Sequence, residues 1–385
     1  MSGFEIKGWC PGALRPMESG DGLVLRIRAR NGRLTPDEAR LIAGLSSRHG
    51  NGLIDLTSRA NLQLRGLTPL GHAATIAALQ PFGLTDRDAG TEARRNVILS
   101  PFAPVGGPAW QVAEAIARAM TAPDAPKVPA KFGFAVDAGT AVLTDVPADI
   151  RLRPHGTGWL ILPDGADWAL EAANPAKAAR RAVALAHWFV QTGGVTEGRG
   201  RMRDHLRQGA PKPGGSVAGT TRPGASATPG PGPATNGWIV GFAFGQITPD
   251  QLEAAAALGP LRLTPWRALL IEGATLPRIP GAILDPCDPL TRVHACTGAP
   301  GCPQAQADVR ALARHLAPRL APDQTLHVTG CAKACAHQGP ASATLIATGR
   351  DRFDLIRDGS ARDPVTRAGL AVHDLPAALA KACPQ

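Results

Sequence analysis

Residues 296–302 read CTGAPGC, and residues 326–335 read LHVTGCAKAC. Together they set Cys296, Cys302, Cys331 and Cys335 in the pattern C-x5-C-x28-C-x3-C, which takes in four of the chain's seven cysteines. Four thiolates delivered in pairs by two short loops are what a [4Fe–4S] cluster needs, because each iron takes one cysteine sulfur. Gly298, Pro300 and Gly301 in the first loop and Gly330 in the second let the backbone bend round a bulky inorganic core. Zinc competes for such ligands, but structural zinc sites favour tighter knuckles that bring both thiolates to one ion. Disulfides are the third alternative, and nothing in the sequence signals the export that would favour them. Cys10, Cys287 and Cys383 are isolated and read as small buried hydrophobes.

Working outward, a chain of 385 residues has room for about two or three domains with substantial cores. Its 44% hydrophobic and 19% charged content is that of a globular protein. No apolar run approaches the roughly 18 residues that span a bilayer, and the opening MSGFEIKGWCPGALRP has no basic head before an apolar core. The expectation is therefore a cytoplasmic protein with no membrane partner. The net charge of +10 calls for an anionic partner. Nucleic acid is disfavoured, because aromatics make up only 4% of the chain, tyrosine is missing, and no nucleic-acid-binding motif is present. A small polycarboxylate suits the charge.

From the first residues, DGLVLRIRAR (21–30) alternates, with Leu23, Leu25 and Ile27 on one face and Arg26, Arg28 and Arg30 on the other. A helix follows, with Thr35 and Glu38 as a capping box, Pro36 at its first position, Gly50 at its end and His49 as a helix-end cation. A second strand runs through LIDLTSRANLQLRGL (53–67), with Arg59, Asn61, Gln63 and Arg65 on one face and Leu62 and Leu64 turned to the core. A further helix is expected around His72 to Leu79. The same order returns in WIVGFAFGQITPDQLEAAAALGPLRLTPWRALLIEG (238–273), where Gly245, Thr248, Pro249 and Asp250 correspond to Gly32, Thr35, Pro36 and Asp37. Thr248 with Gln251 repeats the capping box. Two copies imply a pseudo-twofold architecture with a site between the halves. The copies diverge where the first has Arg59, Asn61, Gln63 and Arg65 and the second has Trp266, Ala268, Leu270 and Glu272.

The fold class read from these patterns is α+β, and the domains are expected at 1–85 and 236–280 for the two half-domains, 86–206 and 281–385 for two α/β domains, and 207–235 for a flexible linker rich in Gly, Pro and Ser. Within 86–206, strands are expected through AVLTDV (141–146) and GWLILP (158–163), and helices near Trp110 to Met120 and from Asn174 or Pro175 to about Gln191. In the last domain Pro303 is expected to start a helix with Val309, Leu312 and Leu316 on its apolar stripe. A strand through Leu326 and Val328 then delivers Cys331, and SATLIATG with FDLIRDG makes a hairpin.

The cysteine motif, the duplicated unit, TSRANLQLRG (57–66), RRNV (94–97) and PAKF (129–132) together resemble the sulfite/nitrite reductase superfamily, over nearly the whole ordered chain. That resemblance implies ferredoxin-like half-domains and makes Cys296, Cys302, Cys331 and Cys335 the [4Fe–4S] ligands. It places Arg59, Arg95 and Lys131 around a tetrapyrrole, and Cys335 would bridge to the iron if sirohaem were present. Where the reductases usually carry K-F-K, this chain has Lys131-Phe132-Gly133, so one of the two cations that hold and protonate the anion is missing. The ending after Cys335 is also short. Both departures are similar to the precorrin-3B synthase branch, in which the tetrapyrrole is substrate. There precorrin-3A is hydroxylated at C20 with O2 and a ring acetate closes a γ-lactone, a step of aerobic cobalamin synthesis.

On that resemblance the substrate's carboxylates would meet Arg59, Asn61, Gln63, Arg65, Arg95 and Lys131, with Arg26 and Arg28 helping to steer it. Electrons would come from NADH or an electron-transfer partner, since no G-x-G-x-x-G opens a helix. A four-cysteine cluster has no open position for O2, which makes a mononuclear non-haem iron a hypothesis. His294 and His337, flanking cluster cysteines, are the histidines to inspect for it, against the plainer expectation that they line the cluster pocket. The alternative is a sirohaem-dependent sulfite or nitrite reductase.

Overall fold

A computed structural model describes residues 11–140, 142–218 and 228–380. Four sheets organise it. The first runs in the order Met17–Ser19, Gly22–Ile27, Leu62–Leu67, Ile54–Leu56 and ends on Gln246–Ile247, a short strand from far along the chain. Another runs Gly232–Ala234, Gly237–Val240, Leu269–Glu272, Leu261–Leu263 and ends on Arg33–Leu34, taken from the first segment. The two orders match, and each sheet borrows its last strand from the other segment. Gln246 pairs with Asp55 and Ile247 with Ile54, while Leu261 pairs with Leu34 and Arg262 with Arg33.

Local sequence explains the correspondence. Helices Pro36–His49 and Pro249–Ala256 both start on a complete capping box, Thr35 with Glu38 and Thr248 with Gln251, each satisfying two backbone donors of the first turn. Gly50 caps the first helix through an N–H bond to the Ser46 carbonyl, and His49 lies in its last turn. Before each helix the chain makes a left-handed kink, at Asn31 (φ 50°) and Phe244 (φ 61°). One apolar core joins both segments: Leu25, Ile27, Ile42, Leu62 and Leu64 pack in the same cluster as Ile247, Leu252, Leu261, Leu269 and Ile271. Each fully buried side chain of this size contributes about 1.5–3 kcal/mol, so neither segment keeps its core without the other.

The other two sheets share a second plan. In one, Val97–Leu99, Phe134–Val136 and Ile150–His155 are parallel, and Gly158–Pro163, Trp168–Ala172 and Ser216–Ala218 continue antiparallel. Helices Pro108–Met120 and Pro175–Gln191 cover one face through Ile116, Phe132, Phe134 and Phe189. In the last sheet Val293–Ala295, Leu326–Thr329 and Ala341–Gly349 are parallel, and Arg352–Gly359 and Arg367–Ala371 follow antiparallel. Helix Val309–Leu316 seals it with Val309, Leu312, Ala313 and Leu316. The expected closing hairpin is present as Ala341–Gly349 with Arg352–Gly359.

Five sequence expectations need correction. The single strand expected through 53–67 is a hairpin, Ile54–Leu56 antiparallel to Leu62–Leu67, with Arg59 in the turn between them. The AVLTDV stretch is no strand: residues 142–145 form turns, held by Asp137, whose Oδ2 accepts from Leu143 N–H at 3.1 Å. The helix after Cys302 starts at Val309, not Pro303, because Asp308 caps it by accepting from Ala311 N–H. The 207–235 stretch contributes paired strands at both ends, Ser216–Ala218 against Trp168–Leu170 and Gly232–Ala234 against Gly237–Ile239. Cys287 is exposed instead of buried, while Cys10 and Cys383 lie outside the described residues, as does Arg222 of the expected linker.

Candidate functional site

Cys296 and Cys331 emerge from the C-terminal ends of neighbouring parallel strands, Val293–Ala295 and Leu326–Thr329, the end at which open α/β sheets gather ligands. The first loop closes on itself through the Cys302 N–H bond to the Gly298 carbonyl at 2.8 Å. Gly298 adopts φ +71°, and a Cβ there would stand 2.9 Å from Val309 Cγ2. The second loop approaches equally closely, since a Cβ on Gly330 would lie 2.6 Å from that of Ala305. Its backbone N–H donates to Cys296 Sγ at 3.3 Å, the kind of bond that stabilises a thiolate.

The four sulfurs sense one another. Burial pushes the Cys331 and Cys335 thiols up, and the neighbouring Cys296 and Cys302 sulfurs push in the same direction, against the opposing charge of Lys333. Among the described residues no three His, Cys, Asp or Glu side chains are set to hold a single metal ion. Two thiol pairs carried by loops that leave neighbouring strands, with an amide donor on Cys296 Sγ, are the donor types that a [4Fe–4S] site uses, each iron taking one sulfur.

The imidazoles do not fit a mononuclear iron. His294 and His337 stack with ring planes 4° apart at 4.4 Å, so their in-plane lone pairs run side by side instead of converging. A third histidine, His327, stands edge-on to His337 at 5.8 Å and is fully buried with both ring nitrogens unpartnered. Burial holds His294 and His327 down at about 4, so both are neutral near pH 7.

The residues expected round a tetrapyrrole separate into two groups. Arg28, Arg59, Asn61, Arg95 and Gly133 border one crevice of about 30 Å3, the space of about one water. Arg59 Nη2 donates to the Lys131 carbonyl at 3.1 Å, which brings the two rim residues together, and the Lys131 side chain is exposed. Arg95 is engaged from the side by the Asp86 carboxylate at 2.9 Å in a part-buried pair, and Arg28 by Glu92 at 2.7 Å in a buried one. Burial lowers Arg28 to about 10 despite Glu92. Both guanidiniums are thus paired with carboxylates of the fold beside the crevice where substrate was expected.

Gln63 and Arg65 lie farther along the strand, toward the cysteine loops. Gln63 sits opposite Arg26 and Asp55. Arg65 is neutralised by Asp21, at 2.8 Å through both Nε and Nη2, and by Asp55 at 3.2 Å. Burial opposes its charge, but the two carboxylates more than offset that and raise its pKa. Arg65 Nη2 donates to the Gly301 carbonyl at 3.1 Å, so it braces the first cysteine loop.

A larger cavity of about 590 Å3 reaches the same loops. It is bordered by Ser58, beside Arg59, and by Ala336, which follows Cys335, and also by Phe244, Trp266, Arg267 and His294. Arg267 holds φ +58° and donates to the Ala336 carbonyl at 3.4 Å. Burial lowers its pKa. Sequence reasoning passed over Arg267, Asp55, Arg310 and His327; the one visible signal was a charged residue, Asp55, inside the apolar run LIDL.

The nitrite/sulfite reductase ferredoxin-like half domain matches residues 15–81. Precorrin-3B synthase of Sinorhizobium sp is 28% identical over 92% of this chain and 83% of its own length. The chain is a precorrin-3B synthase homologue. A ferredoxin–nitrite reductase of Leptolyngbya laminosa is 35% identical, over only 25% of this chain and 19% of the relative. The structure of the NirA protein of Mycobacterium tuberculosis superposes with a TM-score of 0.65 at 18% identity, covering 92% of this chain and 79% of that one, which places the homologue in the same fold. Among the described residues no helix is long and apolar enough to cross a membrane.

Proposed function

We propose that this homologue catalyses the precorrin-3B synthase reaction, the O2-dependent hydroxylation of precorrin-3A at C20 with γ-lactone formation, in aerobic cobalamin synthesis. The observation that carries the reading is similarity to a precorrin-3B synthase along nearly the full length of both chains. Gly133 supports it, because a glycine there leaves only Lys131 of the cation pair that anion reduction uses. The two matched sheets are, in this reading, copies of one unit, with 1–85 and 236–280 as the half-domains and 86–206 and 281–385 as the α/β domains.

Cys296, Cys302, Cys331 and Cys335 would hold a [4Fe–4S] cluster, which supplies electrons one at a time. The 590 Å3 cavity lies within the range of small-molecule sites and touches both Ser58 and Ala336, so it suits a macrocycle seated between the Arg59 turn and the cluster loops. Arg59 and Lys131 orient substrate carboxylates by charge-assisted bonds, with Asn61 just after the Arg59 turn and Gln63 on the strand that follows as polar neighbours. Phe244 and Trp266 give the ring system apolar walls that exclude water. Since the histidines beside the loops do not fit a mononuclear iron, no step is drawn through one. The electrons come from NADH or a protein donor.

The test is consumption of precorrin-3A by the purified holoprotein with reductant, in air and under argon. Turnover in air alone supports the reading; equal turnover in both refutes it. Sirohaem bands in the absorption spectrum at one per chain would instead favour the reductase reading, which rests on the partial match to ferredoxin–nitrite reductases.

A further inference from the structure

Three separate parts of the chain meet at one carboxylate. Asp55 lies mid-strand in Ile54–Leu56 with its side chain only 13% exposed. Its Oδ2 is 3.2 Å from Arg65 Nη1, and its Oδ1 accepts from Gln246 Nε2 at 3.0 Å, across the strand that the second segment lends to the first sheet. The same Oδ1 is 3.7 Å from Arg310 Nη2. Arg310 stands at the start of helix Val309–Leu316, and its Nε donates to the Cys296 carbonyl at 3.1 Å. Arg310 is itself buried, which lowers its pKa, while Asp55 and the nearby Cys296 work to keep it charged.

The loop 296–302 is thus gripped at two carbonyls by two arginines that share Asp55. Arg310 holds Cys296, and Arg65 holds Gly301 together with Ser19 Oγ at 2.7 Å. The hairpin behind Ser19 fits closely here, since a Cβ on Gly20 would stand 2.6 Å from the Pro300 carbonyl oxygen. Where charges are buried, each one is felt strongly by a neighbouring redox centre, because little water screens it.

We propose that Asp55 and Arg310 are positioning residues that set the reduction potential of the cluster held by the cysteine loops, and that they tie this potential to the hairpin whose turn carries Arg59. The inference rests on the cluster assignment above. A cluster gains negative charge on reduction, so a nearby cation favours the reduced form and a nearby anion opposes it. Removing the two charges must therefore shift the potential in opposite directions.

The experiment is a potentiometric titration of the holoprotein followed by electron paramagnetic resonance, with iron and sulfide counted for each variant. Asp55→Asn is expected to raise the midpoint potential and Arg310→Gln to lower it, with Arg310→Lys closer to wild type than Arg310→Gln. Shifts of the same sign, or none, at full iron content would overturn the proposal. Loss of iron from Arg310→Gln and Arg310→Lys alike would make the arginine a purely structural brace and overturn it equally. A wild-type protein without a cluster fails earlier, at the assignment of the four cysteines, and takes this inference with it.

Discussion

Replacing Gly133 by lysine would restore the second cation that sulfite and nitrite reductases carry two residues beyond the first. Gly133 does not lie in the left-handed region, and a Cβ on it would stand 3.3 Å from the Asn96 carbonyl oxygen, 3.5 Å from Asn96 Cβ and 4.0 Å from Arg59 Nη1. The carbonyl must give by a few tenths of an ångström, an overpacking cost of about 1–3 kcal/mol. At roughly 7 Å from the Arg59 guanidinium and an effective dielectric of about 20, the new ammonium is repelled by about 2.4 kcal/mol. A small anion held about 4 Å from that ammonium gains about 4 kcal/mol on the same scale. The repulsion is present with and without sulfite, so it weakens the fold and not the binding; the gain of about 4 kcal/mol predicts sulfite binding at least ~10-fold tighter in Gly133→Lys than in wild type. Calorimetric titration with sulfite measures it, and a thermal melt confirms the fold. Hydroxylation of precorrin-3A should fall at the same time, since the lysine fills space beside Arg59. A folded variant with unchanged sulfite affinity and unchanged hydroxylation would refute the placement of this loop in the site.

Other substitutions separate site from scaffold. Arg59→Ala should weaken tetrapyrrole binding by about 10- to 100-fold, the range for losing one charge-assisted contact of about 1.5–3 kcal/mol, with iron content intact. Arg95→Ala should instead unfold more readily, by about 1–3 kcal/mol in denaturant titration, because it leaves the Asp86 carboxylate without its partner in a part-buried place. Cys331→Ser should lose iron and activity together, read by iron analysis and turnover. His327 is neutral in the fold and has its pKa lowered to about 4, so the unfolded chain binds its proton more readily. Its stabilising contribution is present above pH 6.5 and is lost as pH falls toward 4; the melting temperature of the wild type should drop over that window more than that of His327→Leu.

Much of the fold was legible because its signals are local. The two capping boxes, the alternation of Leu62 and Leu64 with polar neighbours, and the glycine-bounded cysteine loops each depend on a few consecutive residues. The strand exchange was not legible, because Arg33–Leu34 and Gln246–Ile247 are two residues long and pair across more than a hundred positions of sequence. The turns at 142–145 were misjudged for a related reason: the backbone there is held through Leu143 N–H by the carboxylate of Asp137, not by a ladder.

The candidate site was legible by residue type but not by partner. Arg59 and Lys131 lie near one another through a link of side chain to backbone carbonyl. Alternation put Arg28 and Arg65 on polar faces and the resemblance put Arg95 beside them, but neither could reveal that Glu92, Asp21 with Asp55, and Asp86 would pair with their charge. Those pairings are made in three dimensions. His327 hid behind the plain strand pattern of LHVT, where a buried imidazole looks like any other inward residue.

The most direct test of the reaction is isotopic. Anaerobic holoprotein with precorrin-3A and reductant is exposed to 18O2, and the tetrapyrrole product is weighed by mass spectrometry. Incorporation of one 18O atom, absent when the label is in the water, is the expected result. A product free of label from 18O2 would contradict the oxygenase assignment.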